Sequence, residues 1–298
     1  MGLVEKLTRR KLIKPPWFLA ECVHYETLMG SVAYGVSSDT SDMDVYGFAV
    51  PPKSMLFPHL DGHVPGFGTA PPQFEQFQKH HVDDPESRKV YDITVYSIVK
   101  FFQLCMENNP NMIDSLFTPQ HCVLHCTAMG QMVRDQRRMF LHKGAWIKFK
   151  GYAYSQKGKI LSKDKPVGKR KELVEEHGFD IKFAYHLVRL MNEVEQILVE
   201  GDLDLERNRE QLKSIRRGEW SLQDVLDYFD RKERELETVY LSSKLPEAPD
   251  EARIKQLLLD CLEHHYGSLA DAVVEPDHAV RALGDIQAIL DHVRDKTA

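Results

Sequence analysis

Asp42 and Asp44 stand two residues apart at the start of a β-branched stretch, DMDVYGFAV, that reads as a strand. Side chains on a strand alternate faces, so both carboxylates leave from the same side. Hard divalent cations such as Mg2+ take oxygen ligands, and Mg2+ is commonly held by one or two carboxylates together with the phosphates of a substrate. A third carboxylate admits a second ion. Two ions about 3.5–4 Å apart hold the attacking and leaving oxygens of an in-line displacement. Asp92 is the candidate, because YDITV also reads as a strand able to pair alongside the first. Upstream, Gly30-Ser31 opens a tight turn, where glycine lets the backbone approach a phosphate and a hydroxyl with nearby amides bonds its oxygens. A lone D-x-D is usually surface charge near a turn. Here the turn, the pair and the later aspartate together place a phosphate grip and metal ligands in one pocket.

The elements that must position these groups follow from periodicity. LAECVHYETLM alternates apolar and polar residues as a strand does, and GSVAYG is a glycine-bounded turn leading towards the strand of Asp42 and Asp44. From Pro51 to about Arg88 the composition shifts to Pro, Gly, Gln and His, which predicts a long surface excursion rather than a core element. KVYDITVYSIVKFFQLCME then begins as a strand and passes into an amphipathic helix, stopped by Asn109 and Pro110. Helical spacing dominates afterwards, in FDIKFAYHLVRLMNEVEQILVEG, SLQDVLDYFDRKERELETVYLSSK, DEARIKQLLLDCLEHHYG and HAVRALGDIQAILDHVRD. Ser221 with Asp224 resembles a capping box, and Gly201 sits where a C-terminal glycine cap belongs. The fold class expected is α+β: a small mixed sheet carrying the site over residues 1–142, and a mainly helical domain with a basic loop over 143–298.

The 298 residues, 42% hydrophobic and 28% charged, have the composition of an ordinary globular protein and are enough for a sizeable core. No stretch approaches the roughly 20 apolar residues of a membrane helix, and charge interrupts the N-terminus before a signal-peptide core can form, so a cytoplasmic location is expected. Five cysteines, an odd number, point to reduced thiols rather than a disulfide framework. A net charge of −6 excludes binding of nucleic acid through the whole surface, so any such contact must be local.

The motif Gly30-Ser31 followed by Asp42-x-Asp44 resembles the G-S and D-x-D signature of polymerase-beta-type nucleotidyltransferases. GSVAYGVSSDTSDMDVYGFAVPP, YSIVKFFQLCMENNPNMIDSLFTP, KFAYHLVRLMNEVEQILVEGDL and LKSIRRGEW together are similar to the RNA-repair-associated, RlaP-like branch of that superfamily, over roughly residues 25 to 220. The resemblance implies a small mixed sheet carrying the carboxylates, a helical domain behind it, Mg2+ as cofactor, and transfer of a nucleoside monophosphate from an NTP with release of pyrophosphate. Asp42, Asp44 and Asp92 are then the catalytic and metal-binding carboxylates.

Two cationic features bear on the substrates. On a helix, Lys182, His186 and Arg189 share one narrow stripe beside an apolar face of Phe183, Leu187, Leu190, Met191, Val194 and Leu198. Such a stripe leans charge into a cleft, where it balances the β- and γ-phosphates of a nucleotide. The alternative is a solvated surface with an Arg189–Glu193 pair within the helix. Between Lys143 and Lys171, ten Lys or Arg residues stand against one acidic residue, with Trp146, Phe149, Tyr152 and Tyr154 interleaved. Cations that track a backbone and aromatics that stack on bases suit single-stranded nucleic acid, which makes Lys148, Lys150, Tyr152, Tyr154 and Lys157 candidate contacts. The alternative is a solvated lysine loop around SKDKPVGKRK with core aromatics before it.

HCVLHC (His121 to Cys126) compresses thiols and imidazoles into six residues, unlike the two separated pairs of a structural zinc site. His80-His81 and His264-His265 read as surface or packing histidines. The expected activity is Mg2+-dependent transfer of NMP from an NTP, ATP or another, to an RNA end. A protein or small-molecule acceptor, or a silent nucleotide or RNA sensor, are the alternatives.

Overall fold

The computed structural model describes residues 1–37, 42–64, 66–68, 73–162, 169–267 and 286. Its strands are β1 (Val23–Leu28), β2 (Met43–Ala49), β3 (Gln76–Asp84), β4 (Lys89–Ser97) and β5 (Val123–Cys126), joined in one sheet of order β3-β4-β2-β1-β5. β2 and β4 run parallel and the other neighbours antiparallel, so the sheet is mixed. Among the described residues the helices before the last strand are α1 (Leu3–Arg9), α2 (Leu19–Cys22), α3 (Gly30–Ala33), α4 (Lys53–Leu56), α5 (Ile98–Met106) and α6 (Pro110–Phe117). After it come α7 (Ala128–Asp135), α8 (Gly144–Leu161), α9 (Lys169–His177), α10 (Ile181–Glu200), α11 (Arg209–Arg216), α12 (Leu222–Ser242) and α13 (Glu251–Tyr266). The α+β architecture is as the periodicity predicts.

Local signals explain most boundaries. Ser97 ends β4 and caps α5, its hydroxyl accepting from the Lys100 N–H. NNPN is more than a stop: Asn109 caps α6, Pro110 takes the first helical position, and the buried Asn108, at φ +51°, donates its side-chain amide to Phe140 O at 2.8 Å. Both arms of the Ser221–Asp224 box form, and Gly201 closes α10 in the left-handed conformation. Two expectations need correction. Leu19–Cys22 is one turn of helix, so the first strand begins only at Val23. The predicted excursion contains β3, an edge strand antiparallel to β4. Its polar run, QFQKHHVDD, suits an edge, where one flank and most side chains face water.

The chain divides into two compact units, residues 1–51 with 75–261, and 52–74 with 262–298. The first holds the whole sheet together with α8, α10 and α12, so this division does not follow the boundary expected at residue 142. One shared core is the reason: α10 packs on α8 and α12, its Leu187, Val188, Met191, Val194 and Ile197 are fully buried, and its Arg189 reaches Asp114 of α6. Burying each such aliphatic side chain contributes about 1.5–3 kcal/mol. In the second unit Phe57 and Tyr266 meet edge to face at 6.2 Å. No helix among the described residues is long and apolar enough to cross a membrane. The segment HAVRALGDIQAILDHVRD, Ile286 apart, and residues 163–168 of the basic loop lie outside the described residues.

Candidate active site

Strand pairing puts two of the three candidate carboxylates side by side. Asp44 on β2 and Asp92 on β4 are register partners in the parallel ladder, so their side chains leave the same face of the sheet. Asp42, expected on the same strand as Asp44, instead lies exposed immediately before β2, which begins at Met43. The Gly30–Ser31 bend is held against the same spot. The Met29 N–H donates to Asp44 O at 2.7 Å, Gly30 has φ +62°, and a Cβ on Gly30 would collide with Asp44 Oδ2. Glycine is therefore required twice, for the left-handed backbone and for the close approach of the carboxylate.

The electrostatics show which groups converge. Burial pushes the Asp44 carboxyl above the ordinary range, Asp92 and Asp42 push it further, and Lys182 and His80 pull it back. Asp92 moves the other way. Its partial burial works upward, but the His81 N–H, donating to Oδ1 at 2.7 Å, and the neighbouring His80 hold it below the usual carboxylate range. His80 Nδ1 lies 3.5 Å from Asp92 Oδ2, and His81 Nδ1 lies 3.4 Å from Oδ1. The bulge in β3 between Lys79 and Val82, with His81 at φ +53°, turns that backbone amide onto the carboxylate. Reading His80-His81 as surface or packing residues therefore missed their contact with the site. The only signal in the sequence was a His pair in a run that pairs with YDITV, and that pairing was not legible.

The cationic stripe of α10 divides. Lys182 is exposed and close enough to Asp44 to stabilise its ionised form. His186 is half-buried with its ring 4.1 Å from that of Tyr185. Arg189 does not belong with them. It is buried, its Nη1 donating to Asp114 Oδ2 at 2.5 Å and to Glu193 Oε2 at 2.8 Å, so it has no charge to spare for a nucleotide. Two carboxylates share one guanidinium, and burial pushes both Asp114 and Glu193 up, Glu193 strongly. The pair within the helix was foreseen, its burial was not, because Asp114 is distant in sequence. Tyr34, just after α3, donates its hydroxyl to Asp114 Oδ2 at 2.7 Å with its ring 4.4 Å from the Arg189 guanidinium. Arg216 Nη1, within LKSIRRGEW, donates to Val36 O at 2.5 Å. The segment that follows the Gly30–Ser31 bend is thus held at Tyr34 and Val36 by two arginines, Arg189 and Arg216.

The basic helix α8 also differs from expectation. Lys148 pairs with Glu107 at 3.1 Å, Lys150 with Glu233 and Glu237 at 3.0 and 2.8 Å, and Lys157 with Asp230 at 2.8 Å. The Tyr154 hydroxyl donates to Glu233 at 2.7 Å, while the Tyr152 hydroxyl accepts from Asn109 Nδ2 at 3.0 Å. Lys150 and Lys157 thus tie α8 to the acidic face of α12, and Lys148 ties it to the end of α5, so each of these three charges already has an acidic partner. In HCVLHC, burial pushes the Cys122 thiol up to about 11, the opposite of what a metal-ligating thiolate needs. All five cysteines are free thiols.

A divalent cation suits the carboxylate centre by donor chemistry and by charge. The donors are oxygens, and Asp44 is raised in part by like charges that a cation would offset. Among the described residues no three or more His, Cys, Asp or Glu side chains are gathered closely enough to hold a metal ion by themselves.

Residues 19–260 match the RNA repair pathway DNA polymerase beta family. The chain belongs to that family. The match covers α2 through most of α13, including the carboxylate pair, the Gly30–Ser31 bend, the histidine bulge and the arginine clamp. A solved structure of a nucleotidyltransferase-like protein from Exiguobacterium sibiricum 255-15 is 11% identical, with a TM-score of 0.28, covering 87% of this chain and 73% of that one. No curated protein matches.

Proposed function

We propose that this protein transfers a nucleoside monophosphate from an NTP to an RNA end, with Mg2+ as cofactor and pyrophosphate as the second product. The observation that carries the reading is the in-register facing of Asp44 and Asp92 beside the Gly30 bend. An oxygen of the acceptor hydroxyl forms a bond to the α-phosphorus as the bond to the pyrophosphate oxygen breaks. Asp42, Asp44 and Asp92 would hold two Mg2+ ions, which supply charge neutralisation and Lewis acidity at the reacting phosphate.

The chain's own groups position the rest. Gly30 and Ser31 receive the triphosphate, and Lys182, the exposed cation near Asp44, balances it with His186 beside it. Asp92, oriented by the His81 amide at Oδ1 and by the His80 ring near Oδ2, takes the acceptor proton. Positioning and charge stabilisation account for most of the catalysis. The family's connection with RNA repair supports an RNA acceptor, and reduced thiols suit the cytoplasm.

The test is pyrophosphate release with NTP and Mg2+, tried with RNA, protein and small-molecule acceptors. Release that depends on RNA supports the reading, and release only with another acceptor, or nucleotide binding with no release, overturns it.

A further inference from the structure

We infer that Tyr46, Tyr96 and Tyr152 form a nucleobase subsite beside the carboxylate pair. The inference rests on the proposed function and extends it. Tyr46 lies two residues beyond Asp44 on β2, and Tyr96 four beyond Asp92 on β4, so alternation puts both on the face that carries the carboxylates. Their rings meet edge to face, 6.3 Å apart at 88°. Tyr152, on α8, is near enough to Tyr96 to disfavour its ionisation, after the larger effect of burial.

These rings are not closed off as core aromatics are. Tyr46 and Tyr96 are half-buried, and Tyr152 keeps 38% of its surface exposed. On the opposite face of the same strands Val45, Ile93 and Val95 are fully buried, and on the tyrosines' own face Phe48 is buried while Tyr46 and Tyr96 are not. Tyr152 has Asn109, whereas no hydrogen bond is made by the Tyr46 or Tyr96 hydroxyl among the described residues. The combination of flat rings with open phenolic donors fits an aromatic heterocycle edged with polar groups, and every base has a π-face on which a ring can stack. Phosphate fits poorly here, since Lys148, the lysine four residues before Tyr152, is engaged by Glu107. The polar end of a nucleotide then lies at Gly30–Ser31 and Lys182, its base at the tyrosines, and Asp44 and Asp92 between them.

The base has two possible sources, the NTP or the terminal nucleotide of the acceptor. Two titrations of the full chain separate them. One compares a non-hydrolysable α,β-methylene NTP with the same compound lacking the base, and the other compares an oligoribonucleotide with one whose terminal nucleotide is abasic. Wild-type protein is expected to favour the base-bearing ligand about tenfold in one titration, the stacking advantage of a base on an aromatic ring. Tyr96→Leu and Tyr152→Leu should remove that preference without weakening the baseless ligand, and Tyr96→Phe should keep it. Circular dichroism would establish that the variants fold. No preference in either titration, or a preference that survives both leucine variants, overturns the subsite. Because these are binding measurements, the subsite can fail while transfer stands, and transfer can fail while the base preference stands.

Discussion

Gly30 touches the Asp44 carboxylate so closely that no side chain fits between them. Substituting Gly30→Ala therefore forces two changes, a left-handed backbone on alanine and a displaced carboxylate. The backbone strain is about 1–3 kcal/mol. Loss of NMP transfer should exceed what that loss of stability explains, about a hundredfold as for removal of a transition-state contact. Steady-state transfer rates with thermal unfolding of the same variant measure both.

Arg189 and Lys182 share a helix face and should respond in opposite ways. Arg189→Met leaves Asp114 and Glu193 buried without their cation, and breaking such a pair costs about 3–5 kcal/mol. Chemical denaturation should report it. Lys182→Met should leave stability nearly unchanged and raise KM for the NTP, since its ammonium group is exposed. Equal loss of stability in the two variants would contradict the division of roles.

The lysines of α8 give a third expectation. Lys148, Lys150 and Lys157 already have acidic partners. Changing all three to Gln should lower stability modestly, since an exposed ion pair contributes about 0–1 kcal/mol. The slope of RNA affinity against salt should barely move, whereas three phosphate contacts would change it by about 3. Filter binding across a salt series distinguishes the outcomes.

Asp44 links stability to pH. Its folded carboxyl is held above its unfolded value, first by burial and then by Asp92 and Asp42. Such a group favours the folded state fully below the unfolded pKa, and the contribution is lost as pH rises through the folded pKa. At neutral pH the ionised Asp44 is thus a burden. Asp44→Asn should match or exceed wild-type thermal stability at pH 7, with the advantage gone in acid below the ordinary aspartate range. Added Mg2+ should raise the wild-type melting temperature more than that of the variant. Melting curves across pH, with and without the ion, measure this.

What the sequence made visible was local. The alternation around Asp44 and Asp92, the glycine bend and the helix caps of Ser221 and Gly201 each depend on a few neighbouring residues, and each forms as expected. What it hid was pairing between distant segments. Arg189 looked like a surface cation because Asp114 stands 75 residues away. The α8 lysines looked unneutralised because their partners lie on α12 and at the end of α5, and His80-His81 looked peripheral because β3, mostly polar, carries little strand signal until β4 lies beside it. The same parallel register that brings Asp44 to Asp92 is what long-range pairing contributes and short motifs cannot specify.

The decisive measurement is transfer of label from an α-labelled NTP to RNA by wild-type protein, Asp44→Asn and Asp92→Asn, with folding of each checked by circular dichroism. Mg2+-dependent labelling by the wild type and a fall of about a hundredfold or more in both folded variants is the expected result. Undiminished labelling in either variant would contradict the assignment of the facing carboxylates as the catalytic centre.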